Sequence, residues 1–560
     1  MSNFSLAKFS QFFRPRLIDA LRGYDKARLS TDITAGITVG VIALPLAIAF
    51  AIASGAKPEA GIFTAIIAGF IISALGGSRV QIGGPTGAFI VIVYGIIVQY
   101  GYTNLLICTL MAGVMLVAMG LMRMGSMIKF FPRPLIIGFT NGIAVLIILS
   151  QVKEFFGLQI EVMPADFVHK LQAIYHAAAT VDVTTMLLAA GSALLIWFYP
   201  KSWAQKLPSP IIALLLGTAI VALFNLPVET IGTRFGGIPQ DLPSFEPPVF
   251  DFATLRHLIA PAMTIALLGA IESLLSAAVA DGMIDDKHDP NQELIAQGIA
   301  NIVTPFFGGL PATGAIARTA TNVRAGATSP ISGIVHALTL LVIVLIAAPL
   351  AKHIPLATLS AILLIVAINM GEWESFRTLR KYPASDSAVL VMTFLITVIF
   401  DLTLAVEIGM FIAIFFFIRR ITDLTHVSIS EHSPMPGDSE ATLARKAVPK
   451  GVVIYRVFGA LFFGAADKLE TILQQSHTEP DVLIMKMHEV ISMDSSALHT
   501  LEHLYGKLRK HDKHLILCGP HTQPYFLMHQ AGFFERVGKE NVVANLDDAL
   551  QRARELLKLN

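Results

Sequence analysis

Charge is scarce in this chain. Asp, Glu, Lys and Arg together make up 14% of its 560 residues, where a soluble protein carries about 25%. The formal net charge of +1 leaves no basic surface with which to hold a nucleic acid. Cysteine is nearly absent. Cys108 sits in an apolar run and Cys518 in a strand-like one, so neither a disulfide framework nor a metal cluster is expected. A phosphate loop is missing too, because Gly314-Ala315-Ile316-Ala317-Arg318 lacks the Gly-Lys-Ser/Thr ending. No nucleophile–base pair stands out, and the expectation is a protein that is not an enzyme and has no cofactor. The amino-terminal stretch is amphipathic and basic (Arg14, Arg16, Arg22, Lys26, Arg28), without the order of a signal peptide.

What the chain has is apolar length. Hydrophobic residues make up 54% and the mean hydropathy is +0.66. Runs of about 20 apolar residues, enough to cross a bilayer, recur from Ile33 to Phe417. Fourteen candidate spans start near Ile33, Pro58, Thr86, Asn104, Pro134, Val183, Ser209, Ile259, Asn291, Gly314, Ser329, Pro355, Ser387 and Leu402. After Thr425 the character changes. Residues 436–560 have a soluble charge density, with strands expected at Gly451–Val457, Asp481–Met487 and Lys513–Cys518 and helices at Ser495–His511 and Leu546–Leu557. That alternation implies one small α/β domain. The reading divides the chain into a cytoplasmic segment 1–30, a membrane domain 31–421 and the domain 436–560.

Two segments echo each other. Gly83-Gly84-Pro85-Thr86-Gly87-Ala88 and Gly308-Gly309-Leu310-Pro311-Ala312-Thr313-Gly314-Ala315 each run from a glycine pair through Pro to Thr-Gly-Ala and a short apolar stretch. They open the third and tenth spans, the same place in each half of a seven-plus-seven arrangement. An odd number of spans per repeat makes the second repeat inverted. Gly/Pro-interrupted segments at matching positions mark the binding site of a secondary transporter. Two helix starts meeting at mid-membrane aim free amides and positive dipole ends at one spot, which is an anion site. The amides of Thr86, Gly87 and Ala88 are expected to face those of Ala315, Ile316 and Ala317. The alternative is a pair of kinked spans that merely pack on their neighbours.

Lys and Arg gather in the loops after even-numbered spans: Arg79, then Arg123, Lys129 and Arg133, then Lys201 and Lys206, Lys287, Arg324, and Arg377, Arg380 and Lys381. By the positive-inside rule both termini are cytoplasmic. Trp197, Trp203 and Trp373 fall near the same side.

Several stretches resemble the SulP family of anion transporters. Ala43-Leu44-Pro45-Leu46-Ala47-Ile48-Ala49-Phe50-Ala51, followed by Ser54-Gly55 and Pro58, is similar to its first-span motif. Ala280–Met283, His288, Asn291, Glu293–Ile295, Gln297-Gly298 and Asn301 match its link between spans eight and nine. Arg318–Asn322 and Gly326–Pro330 match its tenth span and the turn beyond. Val490–Leu498 looks like the helix-entry loop of a STAS domain, the usual carboxyl-terminal partner. The resemblance implies a membrane α-helical protein with fourteen transmembrane segments as a 7+7 inverted repeat, a mobile core domain, a gate domain, a cytoplasmic STAS domain, a homodimer and a bacterial inner membrane.

Arg318 is the cationic partner expected for the anion. A charge at mid-membrane costs about 2.5–3.5 kcal/mol on insertion scales and needs an anion, a carboxylate or water. Snorkelling to the interface is the other reading. The family often has serines just before this basic residue. Here Ala315 and Ala317 stand there, so backbone amides should carry more of the contact. Glu272, in the span before, is costly as an ion and can take up a proton; Ser276 shares its helical face. In the sodium-coupled bicarbonate branch of the family the matching pair is Asp and Thr, which resemble sodium ligands. Glu272 is read as the coupling residue, with H⁺ favoured over Na⁺. A structural Glu272–Arg318 bridge is the alternative. The resemblance puts Phe50 and Leu46 on the pocket wall; Phe50 can turn a positive ring edge to an anion, and Leu46 serves equally well as core. Asp494-Ser495-Ser496 resembles the STAS loop that is phosphorylated in soluble relatives, although simple helix capping accounts for it as well.

The expected function is secondary active transport of a small anion by H⁺ symport with alternating access, with sulfate or a C4-dicarboxylate ahead of bicarbonate. A Na⁺-coupled bicarbonate symporter, an anion exchanger and a passive anion channel of the same fold are the alternatives. A membrane-anchored signalling protein would have no reason to place charges at mid-membrane.

Overall fold

The computed structural model describes residues 13–126, 132–200, 208–240, 243–248, 252–381, 383–400, 402–424, 426–429, 448–462 and 480–558. Lys129, Lys201, Trp203, Lys206 and the expected domain start at Pro436 lie outside them. The chain divides into two compact units, Met1–Phe411 and Ile412–Asn560.

The first unit is helical. In chain order its helices are α1 (Arg16–Ala20), α2 (Lys26–Ala53), α3 (Pro58–Leu75), α4 (Phe89–Tyr100), α5 (Tyr102–Leu121), α6 (Arg133–Phe156), α7 (Phe167–Ala177), α8 (Val183–Phe198), α9 (Ser209–Phe224), α10 (Ile231–Phe235), α11 (Phe252–Ile284), α12 (Pro290–Val303), α13 (Ile316–Arg324), α14 (Ile331–Ala351), α15 (Leu356–Met370), α16 (Trp373–Arg377) and α17 (Ala384–Ile399). Helix α18 (Leu402–Leu424) crosses the division between the units. A helix therefore begins close to each of the fourteen expected starts. Local chemistry sets many of these starts. Asp25 caps α2 by accepting from the Arg28 amide at 2.8 Å, Asp289 caps α12, and Pro58, Pro134 and Pro210 occupy first-turn positions that need no donor. Among the described residues, α2, α3, α5, α6, α11 and α14 are each long and apolar enough to cross a membrane, while α4, α9, α15 and α17 are shorter apolar helices.

The helices pack as two groups. Helices α2, α3, α5, α11, α12, α13 and α14 pack on one another, and α6, α8, α9, α15 and α17 form a second set, with α15 also meeting α2. Helix α7 is amphipathic and meets α8 at a bend of 115°. The echoing segments hold something the sequence does not announce. They form a two-stranded antiparallel ladder, β1 (Gly83–Gly84) with β2 (Thr313–Gly314), buried among the helices.

The second unit contains a five-stranded sheet in the order β3 (His426–Ile429), β4 (Val452–Leu461), β5 (Val482–Met493), β6 (His514–Cys518), β7 (Val542–Val543). β3 is antiparallel to β4, and the other neighbours are parallel. Helices α19 (Ser495–Lys510), α20 (Thr522–Gln530), α21 (Phe533–Val537) and α22 (Leu546–Leu556) complete it. Alternation along the strands buries Tyr455, Leu483, Met485 and Leu515 against Leu501 and Phe533. On the other face Ile454, Ile484 and Ile516 pack against Ala549, Leu550 and Ala553. The three expected strands and two expected helices all form, and β5 runs on to Met493.

Candidate functional site

The ladder pairs Gly83 with Gly314 and Gly84 with Thr313. Backbone left outside helices in an apolar interior must find partners within the protein, and side chains of the surrounding helices supply them. The Gly314 amide donates to Ser273 Oγ at 3.1 Å, and the Ser273 and Thr313 hydroxyls share a bond of 2.6 Å. Asn301 brackets Ala312, donating to its carbonyl and accepting from its amide, both at 2.8 Å. The Leu310 amide donates to Thr64 Oγ1 at 2.6 Å, and the Ile82 amide to Thr319 Oγ1 at 3.0 Å. Asn322 Nδ2 donates to the Val80 carbonyl at 2.9 Å. Ser273, Asn301, Thr64 and Asn322 were not singled out from the sequence as site builders. Asn301 and Asn322 belong to the stretches that resemble the family, while Ser273 and Thr64 show there only as polar residues inside apolar runs.

From the ladder each segment leads into a short helix. The first helical turn begins at Phe89, not at Thr86, because Thr86, Gly87 and Ala88 form the turn that leads into α4. The Thr86 and Gly87 carbonyls accept from Phe89 and Ile90. On the other side α13 begins at Ile316. The amides of Ile316 and Ala317 lie in its first turn, where no intrahelical acceptor exists, and both residues are exposed. The expectation for the Ala315 amide is corrected: it donates to the Ile82 carbonyl at 2.8 Å, extending the ladder, and is not free for a ligand. Phe50, 6% exposed, faces the turn: a methyl built on Gly87 would come within 3.5 Å of its ring, 3.6 Å of Ile147 and 3.8 Å of the Met370 sulfur. Leu46 is buried in the apolar core that also holds Phe50.

Arg318 ties the two half-helices together. It is 3% exposed, does not snorkel, and its Nη2 donates to the Pro85 carbonyl. Nη1 is buried without a hydrogen-bond partner. Gly84 makes the reach possible. Its φ of 146° favours glycine, and a Cβ there would stand 2.7 Å from Nη1. Glu272 is half-buried, and its Oε2 accepts from Thr86 Oγ1 at 3.0 Å. Among the described residues no ion pair joins Glu272 to Arg318, so the alternative of a structural bridge is not formed and Glu272 contacts Thr86 instead. Ser276 is not paired with Glu272 either. Its Oγ donates to Thr319 Oγ1 at 3.2 Å, toward α13. One group escaped the sequence reading altogether. His336 on α14 is fully buried, neither ring nitrogen has a partner, and the ring lies against Gly69.

In the second unit Asp494 caps α19, accepting from the Ala497 amide at 2.8 Å, while Ser495 and Ser496 are exposed in its first turn.

Residues 29–393 match the family model described as the sulfate permease family, and residues 444–549 match that of the STAS domain. YvdB of Bacillus subtilis (strain 168), whose name assigns it sulfate transport provisionally, is 43% identical over 535 residues, covering 95% of this chain and 99% of its own. The bicarbonate transporter BicA of Picosynechococcus sp. is 29% identical over 537 residues, with 93% and 94% covered. The solved transmembrane domain of a cyanobacterial BicA aligns with a TM-score of 0.62 at 32% identity, covering 70% of this chain and 98% of that one. The murine Slc26a9 anion transporter in its inward-facing state shares the fold, with a TM-score of 0.87 at 19% identity over 99% and 96% of the two chains.

Proposed function

The chain belongs to the sulfate permease family, and from that premise we propose that it is a secondary active transporter that moves sulfate or a C4-dicarboxylate together with H⁺ by alternating access. The observation that carries this reading is the cross-tie at the half-helix pair: Arg318 holds Pro85 with one nitrogen and keeps Nη1 unpartnered beside Gly84. A small anion fits there because the Arg318 guanidinium and the amides of Gly87, Ala88, Ile316 and Ala317 are all donors. Phe50 closes the apolar side.

Glu272 takes up the coupling proton on a carboxylate oxygen. With an anion beside Arg318, a second negative charge on Glu272 would oppose it; the protonated acid does not. Thr86 links the two, since its hydroxyl bonds to Glu272 and its backbone belongs to the anion-binding turn. The group of helices carrying the site moves against the set of α6, α8, α9, α15 and α17. Both termini face the cytoplasm of a bacterial cell, residues 31–421 form the transport domain, residues 436–560 the STAS domain, and two chains form a homodimer. Ser495 and Ser496 are exposed enough for a regulatory modification.

Bicarbonate is the second substrate reading, favoured by the two matches to proteins named as bicarbonate transporters. Coupling to Na⁺ fits less well, because Ser276 turns to Thr319 and not to Glu272. Purified protein in liposomes, offered labelled sulfate, succinate and bicarbonate under an imposed pH or Na⁺ gradient, tests the reading. Accumulation of sulfate or succinate driven by a proton gradient is expected. Accumulation that needs Na⁺, or none of the three anions moving, overturns it.

A further inference from the structure

A cavity of about 670 Å³ opens at the end of α2 farthest from the amino terminus, between α2 and α4 on one side and α6 and α15 on the other. Tyr94, Gln151, Lys153, Lys170, Arg234 and Leu359 are among its lining residues. Its charges are not equivalent. Arg234 is neutralised twice over, donating to Glu154 at 2.7 Å and also to Glu229. Lys170, on α7, is 3% exposed, yet among the described residues it makes no ion pair or side-chain hydrogen bond. Its ammonium stands 6.0 Å from the centre of the Tyr94 ring. The Tyr94 hydroxyl is spent on the Met163 carbonyl. The carboxylate one turn back, Asp166, is turned to the His169 amide and ring at 2.9 and 2.7 Å. Lys153, half-buried on the same cavity, has no acidic partner either, and Glu161, the remaining acid in the lining, is exposed.

An ammonium on a residue this buried, on which Asp166 acts only through space and not as an ion pair, is expensive. The cavity that it lines has room for a second anchor. We propose that this cavity is a capture subsite for a small oxyanion, held by the Lys170 ammonium with Lys153 beside it, on the way to the half-helix pair. The subsite rests on the anion-transport reading above and extends it to the face of the membrane where α2 ends, which the proposed topology makes the external face. Tyr94 lies on α4, which packs mainly on α5, and Lys170 on α7, which packs on α6 and α17, so an anion between them meets both before transport begins.

The test uses the full chain in liposomes of known sidedness, with sulfate as the probe. Lys170→Met should raise the half-saturating sulfate concentration about tenfold for uptake from the cavity face, the loss expected of one charge-assisted contact. The maximal rate and the half-saturation from the opposite face should not change, and Lys170→Arg should keep near-native affinity. An unchanged half-saturation in Lys170→Met, or an equal shift from both faces, overturns the subsite and leaves Lys170 a structural residue. A second measurement needs no variant: saturating sulfate should protect Lys170 from an amine-directed label. Labelling at the same rate with and without sulfate overturns the proposal, even where a substituted protein fails to fold. If the native chain moves no sulfate, the transport reading fails for that anion, and protection by sulfate still decides the subsite by itself.

Discussion

Thr86 donates its hydroxyl to Glu272 Oε2 at 3.0 Å, and so joins the half-buried carboxyl of α11 to the turn that opens α4. A proton arriving on Glu272 is therefore felt one hydrogen bond from the backbone proposed to bind the anion. Removing the Thr86 hydroxyl breaks that link without touching the amides. Thr86→Val should keep anion exchange and weaken the pH dependence of uptake, measured as the ratio of initial rates at two external pH values. An undiminished ratio would show that the two sites communicate by another route.

Arg318→Ala removes both the contact to Pro85 and the unpartnered Nη1. Hydrogen bonds to a charged group are worth about 1.5–3 kcal/mol, so sulfate binding should weaken by about ten- to a hundredfold. Arg318→Lys should recover part of the affinity, since a point charge remains but the fork that holds Pro85 is lost. Equilibrium binding of labelled sulfate to purified protein checks this, and native affinity in the alanine variant would put Arg318 outside the pocket.

The two glycines of the paired motif have different tasks. A Cβ on Gly314 would lie 1.7 Å from Gln81 Nε2 and 3.2 Å from the Ser273 backbone, so a side chain there disrupts the ladder. A Cβ on Gly87 meets nothing nearer than 3.5 Å. Gly314→Val is therefore expected to lower the yield of folded protein. Gly87→Val should fold with near-native melting and lose transport, because its branched side chain fills the space before Phe50. Melting curves and uptake measured on both proteins separate the two effects.

The sequence discloses helix starts well and long-range pairing poorly. Pro85, Pro311 and the Thr-Gly-Ala echo point to two half-helices because their effect on the backbone is local. The ladder between Gly83 and Gly314 has only two residues per strand and no side-chain alternation, so no periodicity betrays it. The Asn301 clasp on Ala312 spans 11 residues and the Asn322 contact with Val80 spans 242. Polar residues inside apolar runs signal that some partner exists, not which one. For the same reason the Glu272–Arg318 pairing, sensible for two charges on neighbouring spans, gives way to Thr86 and Pro85. In the second unit, the run Val452–Val457, rich in β-branched residues, and the Leu498, Leu501, Leu504, Leu508 stripe fix the elements before any contact is known.

Glu272→Gln fixes the site in a form resembling the protonated acid. Such a carrier should bind sulfate and exchange it for sulfate, because the proposed anion contacts at Arg318 and the amides are intact. It should lose accumulation driven by a pH gradient, because no proton can join or leave. In the native protein uptake should rise as external pH falls, the direction set by the proposed role of the proton as co-substrate. Counterflow and gradient-driven uptake in the same liposome preparation distinguish the two modes, and concentrative uptake by Glu272→Gln would remove the residue from coupling.

The Asp494 cap supplies the last prediction. Its carboxylate accepts from the Ala497 amide at 2.8 Å, and helix capping by Asp is worth about 1 kcal/mol. Asp494→Ala should speed hydrogen exchange at the first turn of α19 by about fivefold, the factor that such a loss implies. Transport should stay near native, because the cap belongs to the second unit and the proposed anion site to the first. Ser495 is exposed at the first position of the same helix, where a negative group is favoured by the helix dipole. Ser495→Asp should therefore not reproduce the loss of protection. If Asp494→Ala and Ser495→Asp both change the transport rate while α19 keeps its protection, the loop acts as a regulatory surface and not as a cap.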